Sequence, residues 1–173
     1  MQEDLETIFD NVNDWLKFAE AKSATLLAAN GLVIFGLLRA VQSLNLEMLP
    51  KIAITTIFSL FAFSLLLCLS SFIPSLKLPF VENKKDINEK DNLLFFNHIE
   101  KYGNHAYLKA LAKSKGVSEN DFTSFDYMLA DQIIINSTIA SYKYRLFKKA
   151  VWSTLLGVIL SMPLFALFVF VGK

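Results

Sequence analysis

Cysteine is almost missing from this sequence. Cys68 stands alone, which excludes an intrachain disulfide and any cysteine-based zinc cluster, and its apolar surroundings suit an inert buried thiol. Glycine is scarce, with six residues in 173, too few for a dinucleotide-binding fold. There is no glycine-rich phosphate loop, nucleophile elbow or paired-carboxylate motif. The two histidines, His98 and His105, lie seven apart around Gly103 without a carboxylate cluster. Surface or interhelical histidines explain them better than a metal site. Charge is also thin: 19% of residues are Asp, Glu, Lys or Arg, against about 25% in ordinary soluble domains. The formal net charge of +1 leaves no broad basic field of the kind that binds duplex nucleic acid. No cofactor is expected, and no enzyme.

What the chain has instead is apolar surface, 54% of its residues, gathered into three charge-free runs. The first, between Lys22 and Arg39, holds 16 residues. As a helix it is roughly 24 Å long, slightly short of a bilayer core of about 30 Å. Lys22 and Arg39 can snorkel to make up the difference. The second, between Lys51 and Lys77, holds 25 residues, and the third, between Lys149 and Lys173, holds 23. Each is long enough to span, because a helix satisfies its own backbone polar groups. A cleaved signal peptide is not expected, since residues 1–22 carry six acids against two lysines.

The expected fold is therefore all-α: an integral membrane protein with three transmembrane helices. Two of them should extend as long helices into an all-helical cytoplasmic domain. The division reads as an amphipathic cytoplasmic helix (1–22), spans at 23–39, 52–74 and 150–172, and a cytoplasmic helical sensor domain at 77–149. Three crossings put the N-terminus and residues 77–149 on one side, and that side carries 14 of the 17 basic residues. The positive-inside rule makes it the cytoplasm.

Within this frame, Leu5, Ile8, Phe9, Val12, Trp15, Leu16 and Ala19 recur at three- and four-residue spacings. Nothing breaks the run before Leu38, so one continuous helix is expected. A short connection at 42–50 should make spans one and two an antiparallel hairpin. Pro74 and Pro79 should end the second helix, with a polar linker at 81–92. A helix over Asn92–Lys101 should bury Leu93, Leu94, Phe96 and Ile99, and another should run over Asn104–Lys115 to Gly116. Ser118, with Asp121 three residues on, should start the last long helix. That helix enters the membrane near Lys149 and meets Pro163, where a kink is expected.

Polar residues inside the first span stand out. Ser23 and Asn30 are seven apart on one face, near Gly31 and several alanines. An asparagine in lipid is costly and should face protein or water. Helix packing and a pore lining both satisfy that requirement, and in an oligomer they are compatible. Below the third span lie Lys143, Tyr144, Arg145, Lys148 and Lys149. Anchoring to anionic headgroups accounts for the lysines, whereas the Arg145 guanidinium can also grip a phosphate or pair with Glu20 or Asp131. Tyr102, Asn104, His105, Tyr107, Lys109 and Lys113 offer stacking faces and phosphate partners that would suit a nucleotide. An ordinary solvated helix face has the same composition.

Three segments resemble the small transmembrane effectors of the Pycsar anti-phage systems. They are Trp15–Gly31 (WLKFAEAKSATLLAANG), Phe95-Phe96 followed by Ile99 and Tyr107, and Leu129–Arg145 (LADQIIINSTIASYKYR). The resemblance spans about residues 12–155 and keeps the segment order. It implies a bacterial inner-membrane effector working with a cognate nucleotidyltransferase or cyclase. The partner's nucleotide messenger would trigger membrane disruption and abortive infection. The positions that carry over are Ala19, Glu20, Lys22, Asn30, Gly31, Gln132, Lys143, Tyr144 and Arg145. Taken with the residue-level reading, the ligand-binding or coupling candidates are Lys22, Tyr102, His105, Tyr107, Lys109, Gln132, Lys143 and Arg145. The pore or packing candidates are Ser23, Asn30 and Gly31. A homo-oligomer in the lipid bilayer is expected, and a tetramer is compatible with it. The competing reading is a non-conducting membrane adaptor that recruits or restrains a partner enzyme.

Overall fold

The computed structural model of the chain describes residues 2–43, 48–73, 87–118 and 121–171. All regular structure among them is helical: α1 (Gln2–Ser43), α2 (Met48–Ser71), α3 (Phe96–Ile99), α4 (Asn104–Lys115) and α5 (Ser124–Val171). α1 and α5 have 42 and 48 residues. At 1.5 Å per residue they are about 63 and 72 Å long. Three helices, α1, α2 and α5, are long and apolar enough to cross a membrane. The chain forms two compact units, one of Met1–Ala19 with Pro74–Tyr144, the other of Glu20–Ile73 with Arg145–Lys173.

The first unit has a conventional mixed core. Leu5, Ile8 and Val12 on α1 pack with Phe96, Ile99, Tyr107, Leu108, Leu111, Ala130 and Ile133. These α1 residues fall at the i, i+3 and i+7 positions that share a helix face. α4 is bracketed by glycines. Gly103 is extended at its start, and Gly116 takes φ 68° at its end, the left-handed turn that lets Val117 N–H reach the Ala112 carbonyl at 3.1 Å. Lys115 then pairs with Asp4 across 2.5 Å, and Asn136 donates to Asn13 at 2.8 Å to tie α5 to α1.

Two element boundaries differ from the sequence expectation. Residues 92–95 are turn rather than helix, α3 is a single turn, and Leu94 is 58% exposed instead of buried. Side chains have captured the backbone here: Asn92 Oδ1 accepts from Leu94 N–H at 2.9 Å, and His98 Nδ1 accepts from Asn92 N–H at 2.8 Å. Such local bonds compete with helix formation. The cap of the last helix also moves. The Ser118 carbonyl accepts a turn bond from Asp121 N–H, and no α-helix starts there. α5 begins at Ser124 behind a reciprocal box in which Thr123 N–H and Oγ1 each meet Asp126 Oδ2 at 2.8 Å and Asp126 N–H returns to Thr123 Oγ1. α2 ends at Ser71, ahead of Pro74. Pro74, Pro79 and residues 81–86 of the expected linker lie outside the described residues, as do 44–47 of the short connection. α5 carries Pro163 inside it and continues to Val171.

In the second unit α2 presents one buried stripe: Ile54, Ile57, Phe61, Ser64, Cys68 and Ser71. The alternating three- and four-residue spacing is that of a helix packed against neighbours along one seam. Gly157 of α5 meets the Phe61 ring so closely that a Cβ there would lie 2.8 Å from Cε2. A small residue at this contact is what close helix approach in lipid requires.

Candidate functional site

A hydrogen-bonded polar cluster in the apolar unit joins the three candidate spans. Asn30 of α1 is 1% exposed. Its Nδ2 donates to Ser64 Oγ of α2 at 2.8 Å, and its Oδ1 accepts from Thr154 Oγ1 of α5 at 3.1 Å. Ser64 Oγ lies 2.9 Å from Thr154 Oγ1 and 2.8 Å from the Ala150 carbonyl. Next to Thr154, Ser153 Oγ donates at 2.8 Å to the carbonyl of Leu60, one α2 turn before Ser64. A ring of short bonds among uncharged groups is the arrangement that lets polar atoms sit in an apolar medium. Ser23, seven residues before Asn30, is fully buried, and its hydroxyl has no partner among the described residues. Gly31 faces open space: a Cβ there would meet nothing within 4 Å.

The other candidates divide between the units. In the second unit Lys22 is half-buried with its ammonium 5.8 Å from the Phe147 ring, a cation–π contact, and Arg145 is exposed. In the first unit, Tyr107 is fully buried and donates to the Leu93 carbonyl at 2.8 Å, and burial pushes its phenol pKa up. Tyr102 is buried beside it, with its hydroxyl 3.4 Å from Asp91. The faces of both tyrosines are therefore spent on the core. Lys143 is 8% exposed, while Gln132 lies on the solvent side of α5. His105 and Lys109 do come together. With Phe122 and Tyr127 they line a cavity of about 170 Å³, and the His105 and Tyr127 rings lie 4.7 Å apart. Lys109 also borders a wider cavity of about 570 Å³ with Tyr102, Asp91 and Lys113.

Two features were not singled out from the sequence. Asp91, in the expected linker, has a side chain only 5% exposed and organises residues 88–102. It accepts from Asn88 N–H at 3.0 Å and Lys101 Nζ at 2.6 Å. The Asn88 amide, then the Lys101 ammonium, hold its carboxyl below the ordinary range. The second is an aromatic cluster. Phe96 stacks on Tyr144 at 5.2 Å, Trp15 lies 5.6 Å from Phe96, and Phe95 lies 4.7 Å from Phe96. Phe95, Phe96 and Trp15 were visible as motif residues, but a mutual stack depends on three separate segments meeting. Among the described residues no group of three or more His, Cys, Asp or Glu is placed to hold a metal.

Three candidate spans, a helical unit of mixed core and a polar ring bonded across the three spans define a polytopic α-helical membrane protein. The Pycsar effector protein domain family matches residues 4–172, nearly the whole length, and the chain belongs to that family. Comparison with curated proteins and with solved structures gives no significant match. The chain is thus a membrane-associated effector domain of the Pycsar anti-phage defence system, and its class is effector rather than catalyst.

Proposed function

We propose that this chain is an inner-membrane effector that a nucleotide second messenger switches into a state disrupting membrane integrity, so that an infected cell stops growing before phage release. The messenger would come from a cognate nucleotidyltransferase or cyclase, and release from that partner is the other form the trigger can take. The observation that carries the reading is helix continuity. α1 and α5 each contribute to both compact units without a break. A shift of either helix in the first unit is then inherited by an apolar segment of the same helix. The small cavity lined by His105, Lys109, Phe122 and Tyr127 has the stacking surface and the ammonium that part of a nucleotide, a base or a phosphate, would use. A messenger moves the equilibrium only by binding the active state better than the resting one.

The first unit and the N-terminus lie in the cytoplasm on this reading, by the lysine and arginine asymmetry. Copies assemble in the bilayer as a homo-oligomer, for which a tetramer is one geometry. Arg145 couples messenger to membrane. Arg145→Glu is expected to abolish dye uptake and depolarisation in cells producing the messenger, with the protein still inserted at normal level. Undiminished leakage in that variant would remove Arg145 from the mechanism. Leakage absent from the parent chain as well, together with co-purification of a partner enzyme, would favour the non-conducting adaptor instead.

A further inference from the structure

The outward face of α5 in the second unit changes character in a set order. Arg145, Lys148, Lys149 and Trp152 stand at i, i+3, i+4 and i+7, so they share one helix face, and all four are exposed. Trp152 is 59% exposed. The same face continues with Leu156 and Ile159, the latter 60% exposed. The opposite face is the one spent on helix packing: Ala150 and Ser153 are buried, Thr154 is bonded to Asn30, and Gly157 touches Phe61. The exposed stripe is therefore not part of the three-helix contact.

Three cations, then an indole, then aliphatic side chains match the layers of a bilayer leaflet: phosphate, interface and hydrocarbon. A lysine ammonium is a compact point charge suited to a phosphodiester, and tryptophan prefers the headgroup–acyl boundary. We propose that this stripe is a binding site for one anionic phospholipid of the phosphatidylglycerol type. Its phosphodiester sits between Lys148 and Lys149, and one acyl chain lies along Trp152, Leu156 and Ile159. The proposal rests on the reading that the second unit lies in the bilayer, and it adds a lipid class and named residues to it.

The test uses the full chain in phosphatidylcholine vesicles with and without phosphatidylglycerol. Alkaline extraction first establishes insertion. A chain washed off the vesicles overturns the membrane reading and this proposal with it. With the chain inserted, native mass spectrometry counts retained lipid. The expected result is preferential retention of phosphatidylglycerol, reduced about fivefold for each lysine neutralised in Lys148→Gln and Lys149→Gln. Retention should return with Lys148→Arg and Lys149→Arg. Equal retention of the two lipids by the parent chain, or of phosphatidylglycerol by parent and Gln variants, overturns the proposal. So does displacement by millimolar inorganic phosphate, which would mark a site for soluble anions. In a Trp15→Phe background, lipids brominated high on the acyl chain should quench Trp152. An unquenched Trp152 would show this face covered by another copy of the chain and would likewise sink the idea.

Discussion

Asp91 shows how one side chain can replace a helical turn. Its carboxylate takes the Asn88 amide and the Lys101 ammonium, and Tyr102 and His98 flank it. A folded-state pKa held below the ordinary value of 3.8 contributes stability that is complete above that value and is lost as pH falls through the lowered one. Acidification below the ordinary value should therefore loosen the Asn88 contact, read as a lower hydrogen-exchange protection factor at the Asn88 amide. In Asp91→Asn this amide should already be less protected at neutral pH, and the acid step there should vanish. An unchanged acid step in Asp91→Asn would assign it to another carboxylate, such as Asp4 with its Lys115 partner. Nothing in the composition of residues 81–92 distinguished Asp91 from its charged neighbours. Its partners lie up to 11 residues away in the chain, and only the fold brings them within reach.

At the level of elements, the polar residues of the spans divide into those that bond their own helix and those that bond another. Thr25, Thr55, Thr56 and Ser59 donate to carbonyls four residues back. Asn30, Ser64 and Thr154 instead bond across α1, α2 and α5. Asn30→Ala should cost about 1–2 kcal/mol of stability, since interhelical hydrogen bonds in membranes are modest but a stranded buried partner adds to the loss. Ser64→Ala should cost a similar amount, and the double variant less than the sum, because the two changes delete one shared bond. Unfolding in detergent by denaturant titration reads this. Full stability in Asn30→Ala with altered conductance would instead favour the pore-lining role for Asn30. The sequence placed Asn30 and Ser23 on one face and left packing and pore lining open. Which residues on the other helices would complete the bonds was not legible, because Ser64 and Thr154 lie 34 and 124 residues away.

For the molecule as a whole, three helices able to span, further helical structure beyond them and a family match over residues 4–172 give a membrane-associated effector. On the proposed topology the N-terminus and the 77–149 region share a side, which the positive-inside rule would make the cytoplasm. Single cysteines introduced at Thr7 and at Ile87, in a Cys68→Ser background, should react with an impermeant maleimide only after the cells are opened. Labelling of either one in intact cells would invert the topology. Both positions are exposed, so burial does not obscure the result.

The sequence by itself determined the helical class, the three apolar runs and the amphipathic stripe of α1. Each is a property of neighbouring residues, namely hydropathy over a span's length and periodicity over a few turns. It also carried the resemblance that the family match sustains. It misjudged the start of α5 and the helix at Asn92, where Ser, Thr, Asn and Asp could each cap or turn the backbone and competing bonds within a few residues set the winner. Only the tertiary structure decided that Tyr102 and Tyr107 are core residues, that His105 and Lys109 share a cavity, and that Asn30 closes a ring across three helices. Those outcomes depend on which distant faces meet, and hydrophobic periodicity specifies that a face is buried without naming the surface that buries it.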